Sequence, residues 1–226
     1  MEWVVLEETD STNRVAKELA RQGAPHGTAV LAKRQTAGRG RLGRSFFSPE
    51  GGLYLSVILR PQCKPEERVL MTPMAAVAVC RALEERLGIS PRIKWVNDLY
   101  LQGKKLCGIL CEGCGDAVIV GIGLNLHTPE GGFPQDIPAV APEPAPGLAD
   151  VQDLAAVIRN HLLEQGTFLQ EYRSRCMTVG RTVTVHPVVG ESYEAKALEV
   201  DDRCRLVVES CRGRETLDSG EVSVRF

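Results

Sequence analysis

No apolar run in this 226-residue sequence approaches the length of a membrane span. The opening residues, MEWVVLEETDSTN, have neither a basic n-region nor an apolar h-region, so no secretory signal is visible. Together these absences place the chain in the cytoplasm. A large excess of charge is also missing. Lys and Arg number 27 against 29 Asp and Glu, leaving a net charge of −2, so the chain as a whole is not a nucleic-acid-binding protein. No internal repeat is present. What remains is 43% hydrophobic and 25% charged, the balance of a soluble globular protein large enough for one domain plus a small one.

One stretch lacks acids altogether. In KRQTAGRGRLGRSFF, residues 33–47, Gly38, Gly40 and Gly43 alternate with Arg39, Arg41 and Arg44. Glycine lets backbone N–H groups turn inward as an anion-binding concavity, and arginine adds forked donors matched to phosphate oxygens. A solvated basic loop is the bland alternative. The strict Gly/Arg spacing favours anion binding. With little apolar surface to bury, the segment is expected to stay mobile until an anion organises it.

Eight cysteines are many for a cytoplasmic chain. Cys107, Cys111 and Cys114 have the C-x3-C-x2-C spacing of iron–sulfur radical enzymes. Their segment, KLCGILCEGCG, reads as a strand, on which Cys107 and Cys111 share a face and Cys114 points to the other. A cluster needs a loop wrapped around its ligands, so no iron–sulfur cluster is expected.

The chain then reads in order. WVVLE is a short strand, and Ser11-Thr12-Asn13 precede a helical pattern ended by Gly23. One of these polar residues is explained as a cap; three in a row equally suit a polar ligand. GTAVLAK and LYLSVILRP are strands, residues 66–87 an apolar helix ended by Gly88, and residues 92–114 two strands flanking Gln102-Gly103. DAVIVGIGLNLH reads as a central strand. Residues 128–147, with six prolines, form an irregular excursion. Helical spacing resumes from Val151 to about Tyr172. Beyond Cys176 four short strand segments suggest a small barrel. The expected organisation is α+β: a mixed-sheet domain over 1–175, then an all-β domain over 176–226.

Two further constellations carry chemistry. Lys94 and Lys105 bracket Asn97-Asp98, where a lysine can hold a phosphate or carboxylate oxygen and the Asn-Asp pair can ligate Mg²⁺, fix a neighbouring arginine or simply serve a turn. Gly121 and Gly123 in an apolar strand imply that a helix or ligand approaches the backbone closely. Asn125 at its end needs amide partners, which an adenine edge or a structural hydrogen bond would supply.

STN at 11–13, QTAGRGRLGR at 35–44, SPEGGLYLS at 48–56, KWVNDLYLQGKKLCGIL at 94–110 and GIGLNL at 121–126 together resemble the biotin protein ligases. They run in family order, and the tail resembles that family's SH3-like barrel. The resemblance implies a biotin/lipoate ligase-type catalytic domain that makes biotinyl-5′-AMP from biotin and ATP with Mg²⁺. Biotin then passes to one lysine of a biotin carboxyl carrier protein. It implies that Ser11, Thr12, Asn13 and Gln35 meet biotin, and that Gly38, Arg39, Gly40 and Arg41 close over biotin and the adenylate phosphate. Lys105 would be the main catalytic residue, aided by Arg41; Gly108 would line the biotin pocket and Asn125 would read adenine. Lys94 would serve phosphate and Asp98 Mg²⁺. Where the family has Pro, this chain has Val96, which is expected to loosen the turn. An aromatic that covers adenine falls to Phe46 or Phe47. Because the chain begins at the first catalytic strand, no DNA-binding segment and no repressor activity are expected. Family members are monomers or dimers, and an exposed edge strand would allow a homodimer. The rivals are a lipoate or octanoate ligase and a biotin-binding regulator without catalysis.

Overall fold

A computed structural model describes residues 2–135, 138–143, 145, 147–164, 166–219 and 222–225. Seven strands form one sheet in the order β1-β2-β3-β7-β6-β5-β4. These are β1 (Trp3–Thr9), β2 (Ala29–Gln35), β3 (Gly52–Leu59), β4 (Arg92–Lys94), β5 (Asp98–Leu101), β6 (Lys104–Cys114) and β7 (Ala117–Asn125). Among the described strands only the β1–β2 pair is parallel, because helix α1 (Thr12–Arg21) carries the chain back between them.

Alternation along β7 explains the layers. Val118, Val120, Ile122 and Leu124 face a large core under α2 (Met71–Leu87) and α3 (Leu148–Leu163), while Ala117 and Ile119 face α1. Helix α2 is dominated by alanine, valine and cysteine, and nine of its residues are buried, as a helix packed on both sides requires. On the other face α1 covers only the lower half of β6 and β7. Beyond its N-terminus Gly121 and Gly123 continue the same side of β7 with no side chains to fill it. That is where the cavity forms.

Two local expectations differ from the structure. The 92–114 region makes three strands rather than two, because residues 95–97 turn between β4 and β5. The helix expected over 151–172 is broken into α3 and α4 (Leu169–Arg175), with Gly166 in the break, where a helix interior is disfavoured. The proline-rich excursion is anchored, since Lys105 N donates to Pro138 O at 2.9 Å and Val140 N to Lys105 O at 3.0 Å. Asp136, Ile137, Pro144 and Pro146 of that excursion lie outside the described residues.

The tail forms a five-stranded antiparallel sheet, β11-β10-β9-β8-β12. Its strands are β8 (Thr182–Pro187), β9 (Tyr193–Val200), β10 (Leu206–Ser210), β11 (Gly213–Leu217) and β12 (Val222–Arg225). Strand β11, GRETL, has too few apolar residues to be recognised from pattern alone. The small sheet shares one core with the large one: Val183, Val185, Ala195 and Ala197 join Ile93, Trp95 and Val96. The indole N–H of Trp95 donates to Cys204 O at 2.9 Å, and Trp95 N to Thr178 Oγ1 at 2.9 Å. The Trp95–Val96 peptide is cis, Val96 is 3% exposed, and its carbonyl accepts the Tyr172 hydroxyl at 3.2 Å. The turn expected to be loose is instead buried and hydrogen-bonded.

Candidate active site

A cavity of about 500 Å³ opens over the bare upper face of β6 and β7, a volume suited to a small organic ligand. Sixteen of the residues singled out from sequence line it: Ser11, Thr12, Asn13, Gln35, Arg39, Gly40, Arg41, Arg44, Phe46, Lys94, Asn97, Asp98, Lys105, Gly108, Gly121 and Gly123. Gly38 and Asn125 stand just outside. A Cβ on Gly38 would lie 2.4 Å from both Phe46 O and Ser48 Oγ, so this glycine allows the Gly/Arg loop to close on itself. Asn125, 7% exposed, donates its amide to Lys105 O at 3.3 Å and thereby backs the catalytic candidate.

The Gly/Arg loop, expected as an anion-binding concavity that stays mobile until an anion organises it, is a folded hairpin. Gly40 N donates to Arg44 O at 2.7 Å and Phe46 N to Gly38 O at 2.9 Å, and Arg39 bridges Ser45. At its tip Leu42 has φ 54° and is 52% exposed, a left-handed conformation that disfavours a branched residue. The loop's return carries Phe46 onto the sheet. A Cβ on Gly123 would lie 2.5 Å from the ring, and one on Gly108, which pairs with Gly123 across the strands, would lie 3.0 Å from it. Two facing glycines therefore make a flat floor for one aromatic ring. Phe47 is 40% exposed and does not line the cavity.

One end of the cavity is cationic. Arg39, Arg41, Arg44, Lys94 and Lys105 line it with a single carboxylate, Asp98. The Lys105 ammonium pairs with Asp98 at 2.9 Å and lies 5.6 Å from the Phe46 ring centre. Lys94 lies over the Tyr100 ring at 5.8 Å. Arg41 donates to Asn97 Oδ1 at 2.9 Å and to the Ser219 carbonyl of the small sheet, and burial lowers its pKa from the usual arginine value. Asn97 in turn donates to Ile109 O at 2.9 Å and Asp98 Oδ1 at 3.1 Å, which is how the Asn-Asp pair holds the arginine.

The other end is neutral and buried. Ser11, Thr12 and Asn13 are at most 5% exposed. Ser11 occupies the N-cap position of α1 but makes no capping hydrogen bond, so the cap alone does not explain it. Gln35 Oε1 accepts from Thr12 N at 2.9 Å, and its amide nitrogen donates to Ser48 Oγ at 3.0 Å. Asn13 fills the space left by Gly121, where a Cβ would lie 2.1 Å from Asn13 Oδ1. Its amide nitrogen donates to Glu112 Oε2 at 2.8 Å. Burial raises the Glu112 pKa, but hydrogen bonds from Lys17, at 2.5 Å, and Asn13 outweigh it, and the net shift is downward.

Sequence reasoning missed Ser56, Glu112, Trp95, Tyr100 and Pro138. Only Ser56, inside the quoted SPEGGLYLS, carried a signal, as a hydroxyl in an otherwise apolar strand. Among the described residues no group of three or more His, Cys, Asp or Glu could hold a metal ion. Cys107 and Cys111 belong to the core under α2 and Cys114 to the α1 side, as strand alternation dictates.

A hydroxyl-and-amide end facing a cationic end, on a mixed sheet with one bare upper face, suits a ligand with a neutral polar part and an anionic part. Residues 5–128 match the model of the biotin/lipoate A/B protein ligase family. The chain is 35% identical over 235 residues to the bifunctional ligase/repressor BirA of Bacillus subtilis (strain 168), covering 95% of this chain and 71% of that protein. It is 32% identical to the biotin--[acetyl-CoA-carboxylase] ligase of Paracoccus denitrificans, over 96% of this chain and 98% of that one. The biotin protein ligase of Aquifex aeolicus, solved with biotin and ATP, superposes with a TM-score of 0.79 at 30% identity, covering 99% of this chain and 98% of that chain. The chain belongs to the biotin/lipoate A/B protein ligase family, and within it the Paracoccus relative and the solved structure are biotin ligases.

Proposed function

We propose that this protein activates biotin with ATP to biotinyl-5′-AMP and transfers the biotinyl group to a lysine of a biotin carboxyl carrier protein. The observation that carries this reading is the polarity of one cavity, with five cations and one carboxylate at one end and a buried hydroxyl–amide group at the other. In the first step a biotin carboxylate oxygen attacks the α-phosphorus of ATP, forming a C–O–P anhydride as pyrophosphate leaves. Both reactants are anionic, so fixed cations lower the barrier by neutralising charge as they meet. Lys105 is the residue assigned to the carboxylate and α-phosphate oxygens. Arg39, Gly40 and Arg41 cover them, Lys94 serves phosphate, and Phe46, seated on Gly108 and Gly123 in the structure, would lift from that floor to cover adenine. Ser11, Thr12 and Gln35 hold the ureido ring over Gly108, and Asn125 reads adenine. Mg²⁺ would enter with the ATP phosphates, which supply most of its oxygen ligands; Asp98 is the one cavity carboxylate available to it. In the second step the neutral amine of the carrier lysine attacks the acyl carbon and AMP leaves.

Residues 1–175 are assigned to catalysis and 176–226 to an SH3-like domain that buttresses the 94–97 turn. Cytoplasmic location fits a ligase for carrier proteins; among the described residues no helix is long and apolar enough to cross a membrane. ATP–pyrophosphate exchange measured with biotin, lipoate and octanoate in parallel tests the reading. Exchange with biotin alone is expected, and exchange with lipoate alone would overturn it.

A further inference from the structure

Behind Thr12 and Gln35 lies a row of buried groups without a role in the scheme above. Ser56, fully buried on β3, faces Gly121 on β7, which faces Leu110 on β6. Asn13 lies across this row. Its amide nitrogen donates to Glu112 Oε2 at 2.8 Å and to Leu110 O at 3.3 Å, both of them acceptors only. The amide therefore has one orientation, since a flipped amide would press Oδ1 against a carboxylate.

The orientation fixes every proton beyond it. Asn13 Oδ1 faces Ser56 Oγ at 2.7 Å, and a carbonyl oxygen carries no hydrogen, so the Ser56 proton goes there. Ser56 then has only lone pairs for Thr12 Oγ1, and of the two acceptors open to the Thr12 proton Ser56 Oγ at 2.8 Å is nearer than Gln35 Oε1 at 3.1 Å, so Thr12 donates to Ser56. Nothing is left for the contact between Thr12 Oγ1 and Gln35 Oε1, which at 3.1 Å is the longest of the three. Gln35 cannot help by flipping. Its oxygen takes the Thr12 N–H, its nitrogen donates to Ser48, and the Ser48 proton is used on Phe46 O at 2.9 Å. Three gaps share two hydroxyl protons, and the empty gap faces the cavity.

We propose that Glu112, Asn13 and Ser56 are positioning residues that set the direction of this relay, so that Thr12 and Gln35 meet the ligand as a pair of acceptors matched to a ureido N–H of biotin. The inference rests on the biotin reading above. A ligand N–H supplies the proton that the pair lacks, whereas an oxygen in its place meets two sets of lone pairs. Without Glu112 the Asn13 amide is held only by the longer bond to Leu110 O, at 3.3 Å, and turns more readily. Ser56 would then accept from Asn13 and donate to Thr12, Thr12 would donate to Gln35, and the acceptor pair would vanish. A carboxylate on the far side of Asn13 thus selects donors over acceptors in the cavity.

The test is calorimetric titration of the whole chain with biotin and with two cyclic carbamate analogues, each replacing one ureido N–H by oxygen. The wild type is expected to bind biotin and to lose roughly 100-fold in affinity for one of the analogues. In Ser56→Ala, biotin should weaken and that discrimination should fall below about 10-fold. The double variant Lys17→Met/Glu112→Leu, altered at partly exposed side chains, should do the same and carries the test if Ser56→Ala does not fold. Equal weakening of biotin and analogue in both variants would reduce these residues to structural supports and overturn the proposal. So would a wild type indifferent to the carbamate oxygen. A wild type that fails to bind biotin at all would instead remove the biotin reading on which the proposal stands.

Discussion

The two ends of the cavity are built on opposite plans. The neutral end is made from buried groups on α1 and β3 and the half-buried Gln35 of β2, linked to fixed neighbours through the Asn13–Ser56–Thr12–Gln35 row. The cationic end is made from a loop and a hairpin, and its charges are held by partners that a ligand can replace. Lys105 leans on Asp98, and Arg41 on Asn97 and a carbonyl of the small sheet. Five cations could not share a half-enclosed space without such partners, because each desolvated charge needs compensation. Recognition is preorganised and charge is borrowed. Phe46 joins the two ends, since its loop carries the arginines while its carbonyl accepts from Ser48 of the neutral end.

The sharpest way to break this division is Lys105→Ala. If the cationic end serves chemistry and the neutral end binding, single-turnover formation of biotinyl-5′-AMP should fall roughly 100- to 1,000-fold. Biotin affinity by calorimetry should fall far less, by about tenfold, for the lost contact to the carboxylate. A parallel loss of affinity would show that Lys105 is part of the recognition end.

The converse variant is Gly121→Ala. Its Cβ would stand 2.1 Å from Asn13 Oδ1, and Asn13 is pinned by Ser56, Glu112 and Leu110. Overpacking of this kind costs about 1–3 kcal/mol, so biotin affinity should drop by roughly 10- to 100-fold. Turnover at saturating biotin should remain close to normal. A fall in kcat with unchanged KM would put Gly121 on the chemical side.

Arg41→Ala should have a smaller effect. Removing its contacts to Asn97 and Ser219 frees the loop from the hairpin and the small sheet. Release of the adenylate, followed by separating free from bound intermediate, should quicken by about tenfold, the equivalent of one hydrogen bond to a charged group. Biotin affinity without ATP should not change. Unaltered release would leave the loop without its covering role.

Much of this plan was legible in the sequence, and the boundary of legibility has a physical cause. The Gly/Arg spacing, the two lysines around Asn97-Asp98 and the glycines of β7 are local signals, and each led to a residue or segment at the cavity. The glycines announced close approach but not by what. Asn13 at Gly121 and Phe46 at Gly123 come from segments about a hundred and about eighty residues away, and only strand register brings them there. Ser56 and Glu112 escaped notice for the same reason, since they meet only through Asn13. The loop's hairpin was missed because its stability comes from backbone bonds that composition does not encode. Pro138 reached the cavity by pairing with Lys105, which no local pattern in a proline-rich stretch could reveal.

The smallest expected effect is on stability, and it separates charge from shape at the neutral end. The Glu112 pKa lies below the ordinary glutamate value of 4.5: burial pushes it up, and the hydrogen bonds from Lys17 and Asn13 push it further down. A carboxyl depressed on folding stabilises the fold above its unfolded value. That contribution is lost as pH falls from there through the folded value. Glu112→Gln keeps the shape and removes the charge. For a pair with side chains 23% and 25% exposed, the stabilisation is at most about 1 kcal/mol, or a Tm difference of about 2–4 °C. The gap between wild type and Glu112→Gln should be constant from neutral pH to about pH 5 and close below it, as the wild-type carboxyl takes up its proton. A gap that survives undiminished at pH 3 would mean that Glu112 acts through packing, and that its charge has no part in holding Asn13 in place.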